Sequence, residues 1–276
     1  MKFQTLFVPT DFSEAADNSA NYAIALAQEL KASVILYHAY HIPVPTPEMP
    51  IMVISPQQLE KDNLQRLDHL RNKLLKKSGA KVHIECVCSP GFAADEITDI
   101  SEARKADLIV MGISGSGPFA HALLGSVTTN MLRKISTPLL IVPEKAKFKG
   151  LSKIAFACDY EFGISPKTIS KLKDFVKIFR AHLLVVGIRE PQGELTATSI
   201  NDGHFLEMEL HGIPHSVFSP MNSDVTAGLL EFEDSHKVDL LVMVPRKHSF
   251  FSRIFHASNT KEMVFHSHTP ILALRE

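Results

Sequence analysis

The chain is poor in cysteine, has no excess of either charge, and has no apolar run long enough to span a membrane. Three cysteines in 276 residues argue against a disulfide framework and fit a reduced, cytoplasmic setting. Cys86 and Cys88 lie two apart in a strand-like run, share one face, and read as small buried hydrophobes. Lysine and arginine total 29 against 30 acidic residues, for a formal net charge of −1. With no polybasic stretch either, a nucleic-acid or anionic-lipid partner is not expected. Met1-Lys2-Phe3-Gln4 enters a strand at once, so no signal peptide is expected. No G-x-x-x-x-G-K-S/T string and no H-E-x-x-H string occurs, which removes a P-loop and the common zinc-protease motif.

Self-similarity is present instead. Asp107-Leu108-Ile109-Val110-Met111 recurs as Asp239-Leu240-Leu241-Val242-Met243, and Ser136-Thr137-Pro138 recurs as His268-Thr269-Pro270 at the same distance. Val87-Cys88-Ser89-Pro90 recurs as Val217-Phe218-Ser219-Pro220, and the run ending in Asp11 faces the run ending in Asp159. A duplicated domain explains all four matches. The polar, basic stretch from Glu144 to Gly150 reads as the linker, giving domains 1–145 and 151–276. The first half reads as strand 4–9, helix 14–30, strand 33–39, helix 57–78, strand 82–87, helix 92–104, strand 107–111, helix 126–135 and strand 138–142. The second reads as strand 153–158, helix 166–180, strand 182–188, an irregular stretch 189–212, strand 214–218, helix 224–236, strand 239–244, helix 258–267 and strand 270–274. Strands that are continuous apolar runs and alternate with helices argue for an α/β fold with a parallel sheet covered on both faces. Helix 57–78 is heavily charged outside a leucine stripe and reads as a solvated helix lying on the sheet.

The chemistry-bearing motif is Gly112-x2-Gly115-x9-Gly125-Ser126, placed between a buried strand and a helix start. Glycine lets backbone N–H groups approach an anion, and a helix N-terminus adds unpaired donors and partial positive charge. Ser126 contributes a hydroxyl donor. The string Gly115-Ser116-Gly117-Pro118-Phe119-Ala120 formally matches a dinucleotide fingerprint, but it follows the fourth strand rather than the first, and the next strand ends in Val142-Pro143-Glu144, with its acid beyond a proline.

With Pro9-Thr10-Asp11-Phe12-Ser13 at the end of the first strand and this glycine spacing, the chain resembles the universal stress protein family, in its tandem form. The resemblance implies two doubly wound α/β domains, each a five-stranded parallel sheet in the order 3-2-1-4-5 with helices on both faces. It implies an adenine-nucleotide site in the first half, for ATP or AMP, with Mg2+ as an open option. Pro9 and Thr10 would shape the turn, and Asp11 would accept from ribose hydroxyls or the adenine edge. Ala39 would meet adenine through its backbone. Met111, Gly112 and Gly115 would line the ribose and phosphate path, and Gly125, Ser126 and Val127 would hold the distal phosphates. Asp is also a favoured helix cap or turn residue, so that role stays open for Asp11. Between the second and third glycines only His121 ionises near neutrality, which leaves little positive charge for a triphosphate.

Aligned on Pro138 and Pro270, the second half carries Val244, Lys247 and Ala257 where the first has Gly112, Gly115 and Gly125, and keeps only Ser258 for Ser126. One nucleotide site per chain is therefore expected, with the second half as a structural partner. The family also implies an internal pseudo-dimer joined through the last strands, Leu139 to Val142 and Ile271 to Leu274; a further homodimer and a protein partner stay open. No general base, arginine clamp or carboxylate pair is assembled, so no catalytic residue is assigned and the chain reads as a stress-response regulator rather than an enzyme. The alternative is an interaction module that carries a small ligand or metal ion without a nucleotide. His38 and His41, the cluster His204, His211 and His215, and the pair His266 and His268 form no known ligand string, and no metal site is assigned. The run Pro43 to Pro50 is expected to act as a semi-rigid flap over the crevice.

Overall fold

The computed structural model describes residues 3–42, 55–79, 81–113, 127, 128, 130, 131, 136–158, 164–189, 205–245 and 268–274. The first half runs β1 (Thr5–Pro9), α1 (Glu14–Leu30), β2 (Ser33–Tyr40), α2 (Pro56–Ser78), β3 (Ile84–Pro90), α3 (Ala93–Ala103), β4 (Leu108–Gly112) and β5 (Leu139–Val142). The second runs β6 (Lys153–Ala157), α4 (Pro166–Phe179), β7 (His182–Val186), β8 (His215–Phe218), α5 (Val225–His236), β9 (Leu240–Met243) and β10 (Ile271–Ala273). One ten-stranded sheet holds them all, in the order β3-β2-β1-β4-β5-β10-β9-β6-β7-β8. Each half has the order 3-2-1-4-5, and the second is laid down in reverse. Neighbours within a half are parallel, as helical crossovers demand. The halves meet antiparallel, with Ile271 opposite Ile141 and Ala273 opposite Leu139.

Strand alternation sorts the core into two layers. Leu6, Val8, Leu36, Val110, Leu140, Phe156, Val185 and Leu272 share one face with α1, α2 and α4. Phe7, Ile35, Tyr37, Ile109, Met111, Ile141, Ala155, Leu241 and Ile271 share the other with α3 and α5. Each layer runs through both halves. Helix starts follow local chemistry: Ser13, Ser55, Ser165 and Asp224 each cap a helix by accepting a backbone N–H of its first turn. α2 and α4 add proline at the helix start, where no N–H is missed. No helix among the described residues is long and apolar enough to cross a membrane.

Two boundaries differ from the sequence reading. β3 lies at 84–90 rather than 82–87, because its ladder to β2 continues from Val34–Ile84 to Tyr40–Pro90. A proline closes this strand without loss because β3 is the sheet edge, where a missing N–H breaks no further ladder. Within the stretch read as irregular, 205–209 is helical, and Leu206 and Leu210 bury into the layer that holds α4. The linker also packs. Ala146 is buried, and the Asn18 amide donates to the carbonyls of Pro143 and Ala146 at 2.9 and 3.1 Å.

Candidate nucleotide site

β1 pairs with β2 on one side and β4 on the other, so the chain order reverses beside it. The carboxyl ends of β1 and β4 therefore open one crevice, the usual place for a ligand on such a sheet. Pro9 ends β1, Gly112 ends β4, and Thr10 and Met111 are buried beside them.

The turn after β1 is built from its own side chains. Thr10 Oγ1 accepts from Phe12 N at 3.0 Å, Asp11 Oδ1 accepts from Ser13 N at 3.0 Å, and Ser13 Oγ accepts from Ala16 N at 3.2 Å. Phe12 takes φ 64, a left-handed conformation that a bulky residue rarely adopts. Of the roles open to Asp11, the cap belongs to Ser13 and the turn to Asp11. The first turn of α1 carries Glu14 and Asp17, so this helix start does not attract an anion.

The end of β2 is held by His38. Its Nδ1 lies 2.7 Å from the Thr10 carbonyl, which can only accept, so Nδ1 carries the proton. Burial pushes the imidazole below its ordinary pKa and the Arg66 guanidinium adds to this, while the Thr10 carbonyl and Asp11 act the other way. The Phe12 ring packs on the imidazole at 4.6 Å between centroids, and Arg66 Cζ sits 4.0 Å over the Phe12 ring. α2, read as a solvated helix lying on the sheet, also brings a cation to the turn after β1. The clue was Phe12, an apolar residue inside an otherwise polar turn.

Ala39 is half-buried near the end of β2, opposite Ser89 of β3. The Tyr37 hydroxyl and Ser89 Oγ are 2.6 Å apart, and Ser89 donates to Glu96 Oε2 at 2.6 Å, which ties β2, β3 and α3 together. Burial is the main cause that pushes the Tyr37 phenol up to about 12. On the β4 side, a Cβ on Gly112 would stand 2.9 Å from the Ala15 carbonyl oxygen. The missing side chain there admits α1. Thr128 Oγ1 donates to Gly112 O at 3.3 Å, and Val127 begins the described part of a helix facing the crevice strands.

The structure thus brings Pro9, Thr10, Asp11, Ala39, Met111, Gly112 and Val127 to one end of the sheet. Gly115, Gly125 and Ser126 lie outside the described residues, as do His121, the 43–50 run, Asp159, Lys247, Ala257 and Ser258. His204 and His266 also lie outside them, and among the described residues no three of His, Cys, Asp and Glu gather as metal ligands. None of the three cysteines is in a disulfide, and burial raises Cys86 to about 11 and Cys88 above its usual value, so neither of these two is a ready thiolate.

A family model described as the universal stress protein family matches residues 2–143. The chain belongs to this family. It is 29% identical over 147 residues to universal stress protein MJ0531 of Methanocaldococcus jannaschii, covering 52% of this chain and 85% of that one. It is 29% identical over 140 residues to a universal stress protein of Thermus aquaticus, covering 51% of this chain and 98% of that one. A universal stress protein from Archaeoglobus fulgidus superposes with a TM-score of 0.71 at 17% identity, covering 99% of this chain and 97% of that one. A likeness of that length places both halves of this universal stress protein in one known fold.

Proposed function

We propose that this is a tandem universal stress protein that binds one adenine nucleotide, ATP or AMP, in its first domain, residues 1–145. The second domain, residues 151–276, is a degenerate partner. The chain acts as a stress-response regulator whose occupancy alters packing or partner choice, and not as a fast catalyst. The observation that carries this reading is the shared crevice: Asp11 and Gly112 follow and end adjacent parallel strands at the point where strand order reverses.

The residues fit an adenine nucleotide by their chemistry. Asp11 offers carboxylate acceptors to ribose hydroxyls. Ala39 offers a backbone donor and acceptor to the base. Gly115, Gly125, Ser126 and Val127 belong to a strand–glycine–helix sequence suited to phosphates. Mg2+ would supply the positive charge that a loop with only His121 lacks.

Calorimetric titration of ATP and AMP, with and without magnesium, tests the reading. Binding near one equivalent per chain is expected, and a Gly115→Val, Gly125→Val double variant should lose it. A wild type that takes up neither nucleotide would leave the interaction-module reading in its place.

A further inference from the structure

We propose that His38 is a positioning residue that holds the β1–β2 ladder open so that the backbone of Ala39 can read adenine. The inference rests on the nucleotide reading above and deepens it.

In a parallel ladder, alternate residues of a strand point both their N–H and C=O to the same neighbour. The Tyr37 carbonyl accepts from Thr10 N at 2.8 Å, so Tyr37 faces β1. The Tyr40 carbonyl accepts from Gly91 N at 2.9 Å, so Tyr40 faces the β3 side. Ala39 therefore faces β1. Continuing the ladder one step would pair Ala39 N–H with the Thr10 carbonyl and Ala39 C=O with Phe12 N–H. Both groups bond to side chains instead: His38 Nδ1 donates to the Thr10 carbonyl at 2.7 Å, and Thr10 Oγ1 accepts from Phe12 N at 3.0 Å. Phe12 leaves the strand direction at φ 64, and its ring, backed by Arg66, packs against the imidazole. The register ends at Pro9 opposite Tyr37 while β2 runs on to Tyr40. Among the described residues no backbone group after β1 bonds to the Ala39 N–H or C=O.

A donor and an acceptor side by side match the adenine edge, which offers a ring-nitrogen acceptor beside an amino donor. Guanine reverses the order of those groups along the same edge. The second half supplies an internal control. There Ala157 pairs with Val186 and Cys158 N donates to the Val186 carbonyl at 2.9 Å, so the equivalents of Thr10, His38 and Ala39 are Cys158, Gly187 and Ile188. The hydroxyl and the imidazole are both missing from the half that lacks the glycines.

Amide hydrogen exchange on the wild type tests the open ladder without any ligand. The Ala39 amide should exchange much faster than that of Tyr37, and ATP should protect it. An Ala39 amide as protected as Tyr37 in the free protein would overturn the inference and leave the nucleotide reading standing. In parallel, His38→Phe keeps a ring against Phe12 but removes the donor, and His38→Asn keeps an N–H donor. His38→Phe should lose ATP affinity on the order of tenfold, with tripolyphosphate binding and the preference of His38→Asn for ATP over GTP unchanged. Unchanged ATP affinity in His38→Phe, or an equal loss for ATP and tripolyphosphate, would overturn the assignment. If the wild type binds no nucleotide, the nucleotide reading fails and takes this one with it.

Discussion

Gly112 has no side chain because α1 leaves no room for one. The nearest atom to an added Cβ is a backbone oxygen, which cannot swing aside. This packing role is separate from any contact with phosphate, and it makes Gly115 and Gly125 the better residues to substitute in a binding experiment. In the second half Val244 occupies the aligned place, where α4 begins after the longer stretch 158–165 rather than the short turn 10–13 that precedes α1. His38 carries a pH dependence. Its folded pKa lies below the ordinary 6.5, mainly through burial, so the unfolded chain binds more protons as pH falls through about 6.5. Stability should therefore drop between pH 7 and 5, with no contribution from this residue above pH 7.5. Urea midpoints at pH 7.5, 6 and 5 should show a shallower fall in His38→Asn than in the wild type. Of the site residues, Asp11 was legible as a residue because it follows the first strand, but its turn bond to Ser13 was not, since Asx turns and helix caps use the same residue types.

At the scale of elements, the recurring Asp before each fourth strand has a use that the repeat alone did not reveal. Asp107 Oδ2 accepts from Gln4 N and Thr5 N at 2.8 and 3.0 Å, at the start of β1. Asp239 Oδ2 accepts from Ser152 N and Lys153 N at 2.7 and 2.9 Å, at the start of β6. One carboxylate thus satisfies two backbone donors where a neighbouring strand begins. Asp107→Ala should cost about 1–3 kcal/mol in urea unfolding, and Asp107→Asn, which keeps an acceptor, should cost less. An unchanged midpoint in Asp107→Ala would mean that water replaces the carboxylate at no cost. Helix starts were readable because Ser-Pro announces them at 55 and 165. The helical 205–209 was not, because two leucines four apart make too short a period to separate from a loop.

The whole molecule is joined by more than the β5–β10 ladder. Phe3 meets Phe175 edge-on at 5.2 Å, Tyr22 meets Phe148 at 5.4 Å, and Phe148 meets Phe179 at 6.3 Å. Phe148 of the linker thus bridges α1 and α4. Burial raises the Tyr22 phenol well above its usual range, and Asp239 from the other half raises it further. The two core layers are continuous across the junction, so the wild type should unfold in one transition. Phe148→Ala should lower stability by about 1–3 kcal/mol while keeping that single transition. Calorimetry showing two separate transitions in the wild type would mean that the halves do not share their cores.

Local pattern alone determined the α/β class, the repeat, most helix and strand positions, and the glycine spacing, because periodicity, caps and turn residues act within a few neighbours along the chain. Only the tertiary structure decided which backbone groups the sheet leaves open. That Thr10 and His38 divert the ladder from Ala39, that Gly112 admits α1, and that Arg66 reaches Phe12 all depend on residues far apart in sequence meeting at one strand end. The direction of a carbonyl and the space beside a Cα belong to that meeting, and no property of the separate residues carries them.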